Sequence, residues 1–380
     1  MPVHLPLLWD RKTRTYNRSM LLEGMFAAAT TPFFPDGRLY LNKLERNVEH
    51  YSLTPVSGLV VLGSTGEAVM LSDEESRDVL RVARESAAAE KVLLAGVARE
   101  SLVETLRLAE FAAEQQYDAV LVRTPHYYTP QYCNSNNGGA KADAKGILTY
   151  YRALADRSPL PVVLYSIPKF THYDLPVEVI AELAQHPNII GLKESSGSVQ
   201  RIADVIAATR NAPLQEVMVT NTFAAFTNRM LLEAASPAEN FVAADSLGGG
   251  TAVAAPPAPR VKTMRKKQVG FQVLCGSAEH LRASLEAGAS GAVLALAACA
   301  PQACHEIYTA WKENDPALAA IKQERVVAAS RYVSGQLGIP GIKYACDLNG
   351  YYGGVSRLPL LPLDAGQKAE VARVMADVRN

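Results

Sequence analysis

"PVVLYSIPKFTHYDLPVEVIAELAQHPNIIGLKESSG", residues 161–197, holds the pattern that decides the fold. PVVLYSIP (161–168) is an apolar run closed by a proline, as expected of a strand buried on both faces. LPVEVIAELAQH (175–186) then repeats apolar residues at helical spacing, with a proline near its first turn. NIIGLKESSG (188–197) returns to a strand: Asn188 to Leu192 reads as short and buried, and Lys193 sits where it stops. Strand, helix and strand in succession is a βαβ unit, which makes neighbouring strands parallel.

The same rhythm runs outward in both directions. GMFAAATTPF (24–33), GLVVLGSTGE (58–67), KVLLAGV (91–97) and DAVLVRTP (118–125) are strands upstream. Helical patterns over about 41–51, 71–89, 102–116 and 144–157 separate them, and in the second Ser72 and Glu75 form a capping box. Downstream, a helix over about 199–210 precedes GFQVLCGS (270–277) and SGAVLALA (290–297). Eight strands, starting near 25, 58, 92, 118, 161, 189, 270 and 291, predict an α/β fold: a (β/α)8 TIM barrel with additional C-terminal helices. A doubly wound sheet is the alternative, but no G-x-G-x-x-G follows the first strand.

Two stretches interrupt the rhythm. Residues 131–143 (QYCNSNNGGAKAD) read as a polar loop after the fourth strand. Residues from about 211 to 268 read as a surface insertion: a short helix at about 223–234, then a flexible excursion low in order-promoting residues. A retained non-coding segment in the gene model would read the same way. Because the insertion precedes the seventh strand, it is expected at the N-terminal face of the barrel. The organisation is therefore an N-terminal arm (1–22), a barrel (23–312) carrying the insertion at about 211–268, and a C-terminal helical segment (313–380) that packs on the barrel or at a subunit contact.

Composition narrows the function. Half the residues are apolar, a fifth are charged, and the formal net charge is zero, which points away from nucleic acid. The apolar runs fall short of a membrane span. Cys133, Cys275, Cys299, Cys304 and Cys346 form no C-x-x-C pair, so they read as free thiols in a reducing compartment. The cytoplasm fits. Arg11, Lys12, Arg14 and Arg18 against Asp10 alone faintly suggest a mitochondrial presequence, which Pro2 and Pro6 oppose.

Barrel enzymes place their chemistry at the C-terminal ends of strands. GSTGE ends the second strand, Tyr127 lies just past the fourth, Tyr165 ends the fifth and Lys193 the sixth, so these groups should face one mouth. Adjacent strands lie about 5 Å apart, which lets the Tyr165 phenol and the Lys193 amine approach each other. A lysine at a strand end can also snorkel to the surface. Held dry, an amine has its charged form disfavoured and can attack a carbonyl to form a Schiff base. The resulting iminium is an electron sink for carbon–carbon cleavage or formation, and a tyrosine beside it can relay protons. The hydroxyls of Ser64 and Thr65, with the converging N–H groups of a glycine-bracketed turn, suit a carboxylate or oxyanion.

GSTGE (63–67), TPHYY (124–128), YSIP (165–168) and GLKESSG (191–197) together resemble the dihydrodipicolinate synthase / N-acetylneuraminate lyase superfamily of (β/α)8 class I aldolases. The likeness covers about 24–210 and 270–360. FQVLCGSA and LGIPGIK…GYYGG are most similar to the 4-hydroxy-2-oxoglutarate aldolase branch and related fungal 2-keto-3-deoxy sugar acid aldolases. The resemblance implies that Lys193 forms the Schiff base with pyruvate or another 2-oxo acid and that Tyr165 is the general acid/base. It implies that Thr65 passes protons between Tyr165 and Tyr127, the latter often supplied by a neighbouring subunit. Ser64 and Thr65 would hold the pyruvyl carboxylate, and Ser195 and Gly276 match positions near the substrate. It further implies no metal or organic cofactor, partners limited to 2-oxo acid and aldehyde substrates, and a homodimer or homotetramer.

One position departs from the synthase pattern. Where dihydrodipicolinate synthases carry an arginine that grips the carboxylate of the aldehyde partner, this chain has Phe170, preceded by Lys169. An apolar ring makes no bidentate carboxylate contact. The expected activity is therefore reversible cleavage of a 4-hydroxy-2-oxo acid, with 4-hydroxy-tetrahydrodipicolinate synthesis or a non-catalytic 2-oxo-acid-binding barrel as alternatives. His126, His172, His280 and His305 form no metal-binding pattern, which disfavours a metal-dependent aldolase. Glycines near 276 and 288–291 sit where barrels bind phosphate, but no basic residue accompanies them, so a phosphosugar enzyme is the weakest reading.

Overall fold

Eight parallel strands close into a cylinder in the computed structural model, which describes residues 20–128, 144–220, 224–227, 229–230 and 265–378. The strands are β1 (Gly24–Ala28), β2 (Gly58–Val61), β3 (Val92–Gly96), β4 (Ala119–Arg123), β5 (Val162–Ser166), β6 (Ile189–Glu194), β9 (Gln272–Cys275) and β10 (Gly291–Leu294). Each pairs with its sequence neighbour, β6 with β9, and β10 closes on β1. Every barrel strand starts within a few residues of its expected position, because continuous apolar runs form strands buried on both faces.

The two faces of the strands feed two cores. Phe26, Val60, Leu94, Leu121, Val163, Leu274 and Val293 fill the inside of the barrel. Met25, Leu59, Leu93, Val120, Leu164 and Val273 face outward against the helices. Those helices are α1 (Leu41–Ser52), α2 (Asp73–Ser86), α3 (Leu102–Glu114), α4 (Lys145–Arg157), α5 (Val177–Leu183), α6 (Val199–Thr209), α7 (Leu281–Glu286) and α8 (Pro301–Lys312). Helix α2 opens on the expected capping box, with Ser72 Oγ accepting from Glu75 N at 3.1 Å and Glu75 Oε2 accepting from Ser72 N at 3.0 Å. Beyond the barrel come α9 (Pro316–Ala329), a π-helical stretch (Ser330–Gln336), α10 (Ile339–Leu348) and α11 (Ala365–Val374). No helix among the described residues is long and apolar enough to cross a membrane.

The described part of the stretch between α6 and β9 is more ordered than its sequence suggests. β7 (Gln215–Val219) and β8 (Arg265–Val269) pair antiparallel, with Gln215 opposite Val269. Ala225 bridges back to Val219, so the chain is extended where the short helix is expected to begin; among the described residues of that stretch only Arg229 and Met230 are helical. Arg229 donates to the carbonyls of Ala89, at 3.0 Å, and Lys91, and pairs with Asp118 at 3.4 Å, both side chains 2 % exposed. Those partners precede β3 and β4, so this contact lies at the N-terminal end of the cylinder. There Met230 joins Met20 and Leu22 in the inner core. The arm at 1–19, the loop at 131–143 with Cys133, and residues 231–264 lie outside the described residues.

Candidate active site

A β-bulge sets the direction of Lys193. Val162 pairs with Ile189, but Val163 pairs with Gly191, so Ile190 is an extra residue on β6. Ile189 and Val162 both face the helices. A strict alternation from Ile189 would point Lys193 outward as well. The bulge reverses the alternation, so Lys193 falls opposite Tyr165 and faces inward with it. The result is a lysine 5 % exposed, with Nζ 4.2 Å from the centroid of a Tyr165 ring that is itself 4 % exposed. Lys193 is therefore buried at the mouth rather than snorkelling to the surface.

Across the mouth from β5, Ser64 Oγ lies 3.4 Å from the Tyr165 hydroxyl. Ser64 opens a 3-10 turn (Ser64–Gly66) in which Gly66 N–H donates to the Gly63 carbonyl and Glu67 N–H to that of Ser64. The first N–H groups of such a turn, here those of Ser64 and Thr65, have no acceptor within it. Leu62 (φ 60°) and Glu67 (φ 53°) bracket the turn in the left-handed region, unusual for residues with a side chain. Gly96, at the end of β3, permits the first of these: a Cβ there would collide with the Leu62 carbonyl. Thr31 Oγ1 donates to the Gly66 carbonyl at 2.6 Å and fixes the far side.

Glu67 holds the second left-handed residue, and sequence reasoning missed it. Its carboxylate is buried and pairs with Lys343 Nζ of α10 at 2.5 Å, while its other oxygen accepts from Arg357 N at 2.9 Å. Lys343 also donates to the Val355 carbonyl at 2.7 Å and lies over the Phe33 ring. Burial pushes the Lys343 amine below its usual range, and the Glu67 carboxylate opposes that shift. The only sequence signal was a charged residue directly behind a glycine-bracketed turn.

Ser195 and Gly276 are brought together behind Lys193. A Cβ on Gly276 would collide with Ser195 Oγ, and Gly276 N–H donates to the Glu194 carbonyl at 2.7 Å. Ser195 Oγ is buried and has no hydrogen-bond partner among the described residues. Glu194 turns outward, accepting from Ser196 N at 2.6 Å and from Arg201 Nε at 2.8 Å. Arg201, which thereby ties the end of β6 to α6, also pairs with Asp174, ahead of α5, at 2.8 Å.

Other expected residues stand apart. Tyr127 is 73 % exposed and meets Tyr128 edge-on, its backbone N–H held by Glu100 Oε2 at 3.0 Å. Among the described residues of one chain, no hydrogen bond or ring contact joins it to Thr65 or Tyr165. Phe170 is 50 % exposed on the helical turn after β5. Lys169 donates to the Gly335 carbonyl at 2.8 Å. Among the described residues no three His, Cys, Asp or Glu side chains gather as a metal site would require.

The model of the dihydrodipicolinate synthetase family matches residues 21–214 and 258–378. The 4-hydroxy-tetrahydrodipicolinate synthase of Acidiphilium cryptum is 27 % identical over 355 residues, 93 % of this chain and 98 % of that one. Its counterpart in Xanthomonas axonopodis pv. citri reaches 39 % over 188 residues, half of this chain and 58 % of that one. Among solved structures, dihydrodipicolinate synthase DapA-2 from Bacillus anthracis superposes with a TM-score of 0.73 at 20 % identity, covering 95 % of this chain and all of that one. A prophage protein of the dihydrodipicolinic acid synthase family from E. coli K12, solved with pyruvate, gives 0.71 at 24 %, covering 94 % and 99 %. At those identities the structural likeness speaks to the fold.

Proposed function

The chain belongs to the dihydrodipicolinate synthetase family and is a carbon–carbon lyase, and from that premise we propose that it is a Schiff-base-forming class I aldolase that reversibly cleaves a 4-hydroxy-2-oxo acid to pyruvate and an aldehyde. The substrate would be 4-hydroxy-2-oxoglutarate or a 2-keto-3-deoxy sugar acid. The observation that carries this reading is the dry Lys193 amine over the Tyr165 ring.

In the proposed reaction the Lys193 nitrogen attacks C2 of the oxo acid, and loss of water leaves an iminium. Tyr165, having given its proton to the departing water, takes the proton of the C4 hydroxyl as a phenolate, the C3–C4 bond breaks, and its electron pair is drawn onto the iminium as an enamine while the aldehyde leaves. Protonation of the enamine at C3 and addition of water then release pyruvate and restore the amine. Ser64 and Thr65 would hold the C1 carboxylate, and Thr65 would pass protons between Tyr165 and Tyr127. The exposure of Tyr127 in a single chain favours its delivery from a second copy, as in a dimer or tetramer. Ser195, its buried hydroxyl unpartnered among the described residues, and Gly276 would face the remainder of the substrate.

The synthase activity named for the relatives is the second reading. Phe170 weighs against it, because its ring offers no charge to a carboxylate-bearing aldehyde, and Lys169 is turned to the Gly335 carbonyl. By the same argument a neutral sugar aldehyde fits this turn better than the glyoxylate released from 4-hydroxy-2-oxoglutarate, whose carboxylate another cation or hydroxyl would have to hold. Incubation with pyruvate and borohydride, followed by peptide mass mapping, tests the proposal. A reduced pyruvyl adduct on Lys193 is expected; a folded protein left unmodified there overturns it. Pyruvate release from 4-hydroxy-2-oxoglutarate, 2-keto-3-deoxy hexonates of both series and N-acetylneuraminate then identifies the aldehyde.

A further inference from the structure

The turn that carries Ser64 and Thr65 is fastened from the far end of the chain. Glu67 follows it directly, and its buried carboxylate is a negative charge beside the place proposed for a substrate carboxylate. Left alone, it would repel that anion across a low-dielectric mouth. It is not left alone: Lys343 pairs with one oxygen at 2.5 Å and Arg357 N–H with the other at 2.9 Å. Side-chain exposure is 1 % for Lys343 and 0 % for Glu67, so solvent does not weaken the pair. Arg357 is itself immobilised, its guanidinium donating to the Gly37 carbonyl at 2.8 Å, the Met70 carbonyl at 2.7 Å and Glu75 Oε2 at 2.8 Å.

We propose that Glu67, Lys343 and Arg357 are positioning residues for oxo-acid binding: they cancel the charge behind the Ser64–Thr65 turn and hold its left-handed exit, so that the turn presents its hydroxyls and N–H groups to a carboxylate. This rests on reading that turn as the carboxylate receiver. It gives the C-terminal segment a part in substrate binding, although none of its residues need touch the substrate.

Steady-state kinetics of Lys343→Met and of Glu67→Gln/Lys343→Met, with thermal melts, provide the test. In Lys343→Met the uncancelled carboxylate should raise KM for the oxo acid about tenfold or more, with kcat changed far less. The double variant removes both charges and keeps a hydrogen-bonding group for Arg357 N–H, so it should fold even if the single variant does not. Its KM should lie between those of Lys343→Met and the unaltered protein. A merely structural pair would lower the melting temperature and leave KM unchanged in every variant that folds; that result, or a double variant whose KM is no lower than that of Lys343→Met, overturns the proposal. Borohydride trapping of the unaltered protein separates the two ideas. Absence of a Lys193 adduct there counts against the Schiff-base function, whereas a normal adduct with unaltered variant KM counts against the positioning role alone.

Discussion

Tyr165 and Lys193 are register partners on adjacent parallel strands, and the lysine nitrogen lies over the phenol ring 4.2 Å from its centre. The ring face packs against the end of the lysine, and on the proposed mechanism the hydroxyl at the ring edge would handle protons once a carbonyl has bound. A single extra residue, Ile190, creates the pairing.

Tyr165→Phe separates these two contributions. The ring remains, so the melting temperature should change little. Proton transfer is lost, and kcat should fall about 10²- to 10⁴-fold. Single-turnover kinetics with borohydride quenching should show the slowed step.

Phe170→Arg puts a guanidinium on the turn after β5, where the resemblance to the synthases implies one. The ring is half exposed, so the substitution should be tolerated. The ratio of kcat/KM for an acceptor aldehyde bearing a carboxylate to that for a neutral one should rise about tenfold, from a gain of roughly 1.4 kcal/mol in a charge-assisted contact. An unchanged ratio would show that the acceptor does not reach this turn.

Gly276→Ala should impair activity while the barrel stays folded. The new methyl would collide with Ser195 Oγ and crowd the Glu194 carbonyl, pushing apart two groups placed beside the reacting lysine. A displacement near 1 Å costs about 10²-fold in kcat/KM. Gly276→Ala/Ser195→Gly, which removes the collision, should recover part of the loss.

Arg229→Met tests the opposite end of the cylinder. Removing the cation leaves Asp118 buried beside three lost hydrogen bonds, and unfolding in urea should show a loss of about 3 kcal/mol. Lys193, Tyr165 and Ser64 lie at the other mouth, so kcat should hold.

His305 predicts a pH dependence of stability. Burial, reinforced by Lys91 and Lys312 and opposed by Glu306, holds its imidazole below the ordinary value. The unfolded chain therefore takes up a proton near pH 6.5 that the folded protein refuses until lower pH, so stability is lost as pH falls below about 6.5. In His305→Gln the drop in melting temperature between pH 7 and pH 5 should be smaller.

The strands were legible because runs such as VVLYS and GLVVL can satisfy their surroundings only when buried on both faces. Lys193 and Tyr165 were legible because each closes such a run. The bulge at Ile190 was not: isoleucine suits either face, and only the neighbouring strand's register shows which residue is surplus. The Glu67–Lys343 pair was hidden for a different reason. A carboxylate behind a polar turn reads as solvated, and its partner belongs to a helix on the far side of the sequence. β8 was obscured by its composition, since RKKQV resembles a charged linker when read without its partner β7.

Because Lys343 and Arg357 are made long after β10, a ribosome finishes the cylinder before it makes the partners of Glu67. A product cut short after α8 would display every strand-end side chain and still lack the two groups that quiet Glu67. On the proposed role of these groups, binding competence would mature last during synthesis, and an assay for the folded barrel alone would count such fragments as sound.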